Sequence, residues 1–260
     1  MNQSKQRASI SAIIITKNEE QILPKCLASL DWFDEIIVVD SGSTDNTIVI
    51  AEQAGANVYV STKWAGFGKQ KQLAQHYATK EWILAIDADE VISESLKNSI
   101  LEVLAAPPER TIFSLWRTTW VFGRFLKYSG WYDKIIRFYP RKFTGYNDAV
   151  VHEKIIEPKG SQKQILDGDM LHYPYRDLHQ YLEKSAFYAK SWADVCHAQG
   201  KKSSIIQGII HATSCFLKMY ILKCGFLDGK EGFLIAVLSA HSTFVKYADL
   251  WIRKNDRLAN

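Results

Sequence analysis

The 260-residue sequence is poor in the residues that staple small folds. Its four cysteines, Cys26, Cys196, Cys215 and Cys224, show no CxxC spacing. That excludes a disulfide framework and a cysteine zinc site, and points to free thiols in a reducing compartment. Six prolines and 14 glycines are too few for a collagen-like or low-complexity chain. Neither charge sign dominates: 32 basic against 28 acidic residues give +4, too weak to argue for a nucleic-acid partner. There is no GxGxxG and no GxxxxGK[ST], which argues against a nicotinamide dehydrogenase and a P-loop ATPase. No unbroken apolar run reaches the roughly 18 residues of a spanning helix. Lys5 and Arg7 precede the apolar stretch Ile10–Ile15, but it is too short for a signal h-region. Lys17-Asn18-Glu19-Glu20 follows it in place of a small-residue cleavage site. The expected location is cytoplasmic.

What is present describes a globular chain with a large core. Apolar residues make up 47% and aromatics 12%, enough for one large domain or one domain with an appendage. Charge is unevenly spread. Residues 1–110 carry 10 Lys/Arg against 15 Asp/Glu, whereas 111–160 and 201–260 each carry nine against four. The two basic segments read either as ordinary solvated faces or as surfaces for phosphates, anionic lipid or acidic saccharides.

Hydrophobic periodicity organises the first 90 residues. Ile10–Ile15, Glu35–Val39, Asn57–Val60 and Trp82–Ile86 are short apolar runs that read as buried strands. Between them, 18–30, a stretch from Thr44 or Asp45 to about Ala54, and 66–79 carry helical spacing. Alternation of this kind predicts βαβ units on a parallel sheet. After Pro107-Pro108, Thr111–Val121 and Lys134–Tyr139 are strand-like. Residues 179–199 read as one helix, and 204–251 as two helices broken near Gly225–Gly229.

Three polar clusters fall at predicted strand ends: Thr16-Lys17-Asn18-Glu19-Glu20, Asp40-Ser41-Gly42-Ser43-Thr44-Asp45 and Asp87-Ala88-Asp89. Ligands of open α/β sheets bind at the carboxyl ends of strands, so the three should converge. The paired carboxylates Asp87 and Asp89 are hard oxygen ligands that suit Mg²⁺ or Mn²⁺ bridging a diphosphate, or else cap a helix. Asp40 suits the imide N–H of a uracil, or a cap. Lys69 and Lys71 read as donors to phosphates or as a solvated helix face.

The runs Ile13-Ile14-Ile15-Thr16-Lys17-Asn18-Glu19, Ile37-Val38-Val39-Asp40-Ser41-Gly42-Ser43-Thr44-Asp45 and Ala85-Ile86-Asp87-Ala88-Asp89-Glu90 resemble glycosyltransferase family 2. The resemblance implies a GT-A fold: a Rossmann-like, mostly parallel sheet with flanking helices, here over residues 1–178. A C-terminal helical appendage covers 179–260. It also implies inverting transfer from a nucleotide sugar, usually a UDP-sugar, with Mg²⁺ or Mn²⁺. Thr16, Asn18, Glu19, Asp40, Ser41, Lys69, Asp87, Ala88 and Asp89 would hold the donor. Asp89 would coordinate the metal, and His172, in Met170-Leu171-His172-Tyr173, would be a further ligand.

An inverting transferase needs a general base on the acceptor hydroxyl. Glu153, in Val150-Val151-His152-Glu153-Lys154, resembles an element that follows an Arg-Phe-Tyr strand in one branch of the family, here Arg137-Phe138-Tyr139. Asp148 is its competitor. Trp131, Tyr132, Arg137 and His152 are the acceptor candidates, since aromatic faces stack on sugars and Arg grips phosphate, although ordinary packing accounts equally for the tryptophans. The segment Gly225–Phe233 resembles the tail of bacterial lipopolysaccharide inner-core β-1,4-glucosyltransferases, which move glucose from UDP-glucose to heptose. That branch implies a lipid-linked, phosphorylated saccharide acceptor. Ile205, Ile206, Ile209, Ile210, Phe216, Leu217, Tyr220 and Ile221 fall on helical spacing beside Lys201, Lys202, Lys218 and Lys223. With the apolar stretch from Phe233 to Trp251 they read either as a peripheral contact at the inner face of the bacterial inner membrane or as a helical appendage packed on the catalytic domain. Capsule, exopolysaccharide or peptide acceptors, and a non-catalytic nucleotide-sugar-binding module, are the alternatives.

Overall fold

The structure is a computed structural model that describes residues 7–255. Lys5 and residues 256–260 of the expected C-terminal region lie outside the described residues. The chain divides into two compact units. One comprises the chain up to Arg117 together with Asp133–His172. The other comprises Thr118–Tyr132 and the chain from Tyr173 onward. The segment Thr118–Tyr132, expected in the first domain, thus belongs with the helices, and the boundary falls at Tyr173 rather than 179.

The first unit is built on strands β1 (Ile10–Thr16), β2 (Glu35–Asp40), β3 (Asn57–Val60), β4 (Trp82–Ala85), β5 (Glu90–Ile92), β8 (Tyr132–Pro140) and β9 (Gln162–His172), with β6 (Thr111–Val121) running on into the second. Their order is β3-β2-β1-β4-β8-β6-β9-β5. The pairs β1–β2, β1–β4 and β2–β3 are parallel, while β4–β8 and β5–β9 are antiparallel. Helices α1 (Leu23–Ala28), α2 (Thr47–Gln53), α3 (Phe67–Tyr77) and α4 (Glu94–Ala105) connect the strands. Successive residues of a strand face opposite sides, and here both sides are apolar. Ala12, Ile14, Val38 and Leu84 enter one buried cluster with Leu23 and Ile100, whereas Ile13, Ile37, Val39 and Ile83 enter another with Ala74. Each buried Leu, Ile or Val among them contributes about 1.5–3 kcal/mol. This is the α/β arrangement that the sequence predicts.

Two departures affect the site. Helix α1 begins at Leu23, not 18, because Asn18 adopts a left-handed φ of 55° and opens a loop. Residues 90–92 form an edge strand on β9, with Glu90 opposite His172. Ser93 then caps α4 by accepting from the Leu96 N–H.

The second unit holds β7 (Arg124–Leu126), paired with the Thr119–Val121 end of β6, and helices α5 (Leu178–Ala198), α6 (Ile205–Leu217) and α7 (Gly229–Asn255). A π turn, Lys218–Leu222, and a 3-10 turn, Gly225–Asp228, join α6 to α7. Val121, Leu126, Tyr181 and Ile235 form its core. By length and composition Ile205–Leu222 is apolar enough to cross a membrane, with a mean hydropathy of 1.4, although Gln207, His211 and Lys218 interrupt it.

Candidate active site

The carboxyl ends of β1, β2 and β4 bring the three polar clusters to one edge. Thr16 lies opposite Asp40 in the parallel register, and the Ile86 N–H bonds the Ile13 carbonyl at 3.1 Å, carrying the chain onward to Asp87. The first two loops latch together. The Asn18 N–H donates to Ser43 Oγ at 2.8 Å, and Asn18 Oδ1 accepts from the Thr44 N–H at 2.8 Å. The Glu19 N–H donates to Thr47 Oγ1 at 2.8 Å. Asp40, fully buried, accepts from the Gly42 and Ser43 N–H groups and from the Ser43 hydroxyl. It is held by its own turn, so in this structure it shapes the loop. Ser41 donates its N–H to the Thr16 carbonyl at 2.9 Å. Among the described residues, the buried Thr16 hydroxyl meets no hydrogen-bond partner. An orphaned polar atom at a strand end is unusual and fits a site that a ligand completes.

The third cluster opens onto a chain of alternating charge. Asp87 Oδ2 accepts from Arg137 at 2.6 Å, and Oδ1 pairs with Lys71 Nζ at 2.9 Å. Lys71 Nζ also donates to Glu153 Oε1 at 2.7 Å. In the other direction Arg137 approaches the buried Glu90 at 3.6 Å. Glu90 in turn accepts from Arg117 at 3.3 Å, and Arg117 grips Asp133 through two nitrogens. Burial alone would raise the Asp87 carboxyl, but the Arg137 and Lys71 cations hold it far below the usual carboxylate range. Burial and Arg137 work against the Lys71 ammonium, yet Asp87, Tyr146 and Glu153 raise it above its ordinary value.

Lys71 reaches Glu153 because α3 starts hard against the 147–150 loop. The Phe67 and Gly68 N–H groups donate to the Val150 and Ala149 carbonyls, both at 3.0 Å. A Cβ on Gly68 would lie 2.1 Å from the Asn147 carbonyl oxygen, so only glycine permits this approach. The sequence offers Lys71 only as a companion of Lys69 and Arg117 only as one of several arginines near the acceptor aromatics, and gives Glu90 and Asp133 no role; Arg117 is instead held by Asp133 and Glu90. The one signal was Glu90 directly following the paired acids.

Asp89 and His172 meet at 3.4 Å, because the β5–β9 pairing sets Glu90 opposite His172. Burial opposes the His172 proton, but the hydrogen bond and charge of Asp89 outweigh it and raise the imidazole pKa. A carboxylate and an imidazole are sound ligands for Mn²⁺, and Mg²⁺ commonly takes one or two carboxylates plus substrate phosphates. No group of three or more such side chains occurs among the described residues; the rest of a cation's shell would have to come from a bound ligand such as a diphosphate.

The other expected residues are placed as follows. Lys69 turns outward to Asp148 at 2.6 Å, and Gln72 also donates to Asp148 at 2.8 Å. Asp148 is thereby tied up on the surface, with its side chain 72% exposed against 15% for Glu153. The Ala88 methyl is buried in the apolar core. Arg137, expected at an acceptor, is buried and engaged with Asp87 and the Tyr146 hydroxyl instead. His152 is exposed at a left-handed φ of 60°, one residue before Glu153. Trp131 packs edge-to-face on Tyr175 in the second unit, and Tyr132 opens β8.

The profile of glycosyl transferase family 2 matches residues 11–156, which hold all these strand-end clusters and Glu153. A glycosyltransferase of Rickettsia typhi is 32% identical over 253 residues, covering 93% of this chain and 86% of that one. The lipopolysaccharide core biosynthesis glycosyltransferase LpsC of Rhizobium meliloti is 30% identical over 250 residues, covering 94% and 92%. Among solved structures, S. aureus TarS 1–349 aligns over 97% of this chain and 93% of that chain, at 16% identity and a TM-score of 0.47. A family profile over more than half the length, joined by relatives that share the chain nearly end to end, makes this protein a member of glycosyl transferase family 2.

Proposed function

We propose that the chain transfers glucose from UDP-glucose, with inversion, to a heptose of a lipopolysaccharide inner core. The acceptor is a lipid-linked phosphorylated saccharide met at the cytoplasmic face of the inner membrane. The observation that carries the reading is Lys71, one buried cation joined to both the strand-end Asp87 and the distant Glu153. It ties the donor end of the sheet to the candidate base. The name of the Rhizobium meliloti relative supports the core-saccharide assignment.

In this reading the orphaned Thr16 hydroxyl and the latched 16–20 and 40–45 loops receive the nucleoside. Asp89 and His172 hold Mg²⁺ or Mn²⁺. When bound, such a cation offsets diphosphate charge and eases departure of the nucleotide. Lys71 occupies Glu153 Oε1, which leaves Oε2 to take the proton of the attacking hydroxyl. General-base assistance of this kind is worth about 10²–10⁴ in rate.

Calorimetry with UDP-glucose, with and without Mn²⁺, and transfer to heptose-bearing core lipid test the proposal together. Glu153→Gln should abolish transfer and leave metal-dependent UDP binding intact, whereas His172→Ala should weaken that binding by tenfold or more. Unchanged turnover in Glu153→Gln removes it as base. Transfer to a peptide or an exopolysaccharide in preference to core lipid changes the acceptor.

A further inference from the structure

Among the described residues of the second unit, the outer face of α6 is left exposed. Its inner face packs on α7: the Gly208 backbone lies against Phe244 and Tyr247, and the His211 ring stacks on Tyr247 at 4.4 Å. On the opposite side Ile206, Ile209, Ile210, Leu217 and Ile221 recur at helical spacing, and all are half or more exposed or nearly so, Ile206 at 71%. The adjoining Leu222 is 77% exposed. A soluble protein rarely leaves a stripe of this kind open.

Charge indicates what covers it. Residues 201–227 contain Lys201, Lys202, Lys218 and Lys223 and no Asp or Glu. All four lysines are exposed. Asp228, the first acid beyond them, is 1% exposed and faces inward, accepting from the Lys127 and Tyr128 N–H groups and the Ser129 hydroxyl. A second copy of this chain seated on the same face would set lysine against lysine, which disfavours self-association. An apolar stripe flanked only by cations fits the headgroup region of an anionic phospholipid bilayer.

The anchoring of the helix also decides its orientation. At its start the Ser203 hydroxyl donates to the Tyr247 carbonyl at 2.5 Å, and past its end Asp228 clamps the 127–129 loop. Both ends are therefore fastened to the body of the same unit. A spanning α6 would strand one of these attachments across the bilayer. We propose that Ile205–Leu222 lies in the plane of an anionic membrane surface, apolar stripe inward and lysines at the phosphates. This deepens, and in part rests on, the lipid-linked acceptor of the proposed function, but it is tested without donor or acceptor.

Full-length protein is floated with vesicles of phosphatidylglycerol and phosphatidylethanolamine, and with phosphatidylcholine alone. The expected result is binding to the anionic vesicles only, released by alkaline carbonate. Lys218→Gln with Lys202→Gln should weaken it about 25-fold, at about fivefold for each lysine near such a surface. Ile206→Gln with Ile210→Gln should abolish it while UDP-glucose binding persists, since neither residue faces α7. Equal binding to neutral vesicles, retention after carbonate, or a dimer that the isoleucine changes dissolve would each overturn the proposal. Binding to vesicles with no transfer to core lipid would leave this surface standing and remove the acceptor assignment.

Discussion

Replacing Lys71 by Met is the sharpest test of the charge chain. The ammonium is buried, with 4% of its side chain exposed, and lies 2.9 Å from Asp87 and 2.7 Å from Glu153. Methionine keeps the apolar stem and removes only the charge. Asp87 then retains Arg137 at 2.6 Å, but Glu153, 15% exposed, loses the ammonium at its Oε1. Removing one member of a buried pair costs about 3–5 kcal/mol, because the surviving charge stays desolvated. For a unit of this size that lowers the melting temperature by about 6 °C or more. Glu153→Gln removes the opposite charge, so the double variant Lys71→Met/Glu153→Gln should recover part of the loss. A coupling of about 1–3 kcal/mol is expected from a thermal or urea double-mutant cycle. Effects that simply add, within about 0.5 kcal/mol, would mean that Lys71 and Glu153 do not interact and that the chain linking donor end to base is wrong.

The remaining predictions concern the scaffold. Asp228→Ala leaves the Lys127 and Tyr128 N–H groups and the Ser129 hydroxyl without their acceptor. At about 1–3 kcal/mol for the one orphaned buried donor, the Ser129 hydroxyl, and less for the two part-buried N–H groups, the second unit should lose about 2 kcal/mol or more in urea unfolding, while UDP binding by the first unit persists. Glu35 governs an acid limb. Burial pushes its carboxyl up, but the Ser11 hydroxyl at 2.5 Å and the Thr79 N–H and hydroxyl, both at 2.8 Å, bring it below its usual range. A depressed carboxyl stabilises the fold above its unfolded pKa of about 4.3, and the contribution fades as pH falls through the folded value. Glu35→Gln should therefore be less stable at neutral pH, and its melting temperature should fall less on acidification from pH 5 to pH 3. Parallel curves for both proteins would refute that assignment.

Local patterning was enough to read the strand ends that present Thr16, Asp40 and Asp87. Runs such as Ile13–Ile15 and Ile37–Val39 are apolar on both faces, which is how a buried parallel strand looks in sequence. Three features escaped for one physical cause. Residues 90–92 become a strand only because 170–172 lies alongside, 80 positions away. Lys71 is buried only because Asp87 and Glu153 neutralise it from two other elements; on helical spacing alone, a lysine between two glutamines reads as solvated. Helix α1 loses its first turn because Asn18, Glu19 and Glu20 bond across to 43–47 instead of along the helix. In each case a long-range partner overrides a local preference, and one sequence does not display its pairings.

The chemistry of the partners also separates the two acids of the Asp-Ala-Asp triplet. Asp87 is gripped by an ammonium and a guanidinium. Neither cation can bind a metal while it remains protonated, and the acids around both keep them protonated against the opposing effect of burial. Asp89 faces an imidazole at 3.4 Å. A neutral imidazole is a metal ligand, so His172 and Asp89 would be the side chains to hold a divalent cation that offsets diphosphate charge. In the proposed function this contact, an ion pair here, would supply two ligands of a divalent cation. We propose that the residue types around each acid, more than position within the triplet, suit Asp87 to positioning and Asp89 to the metal.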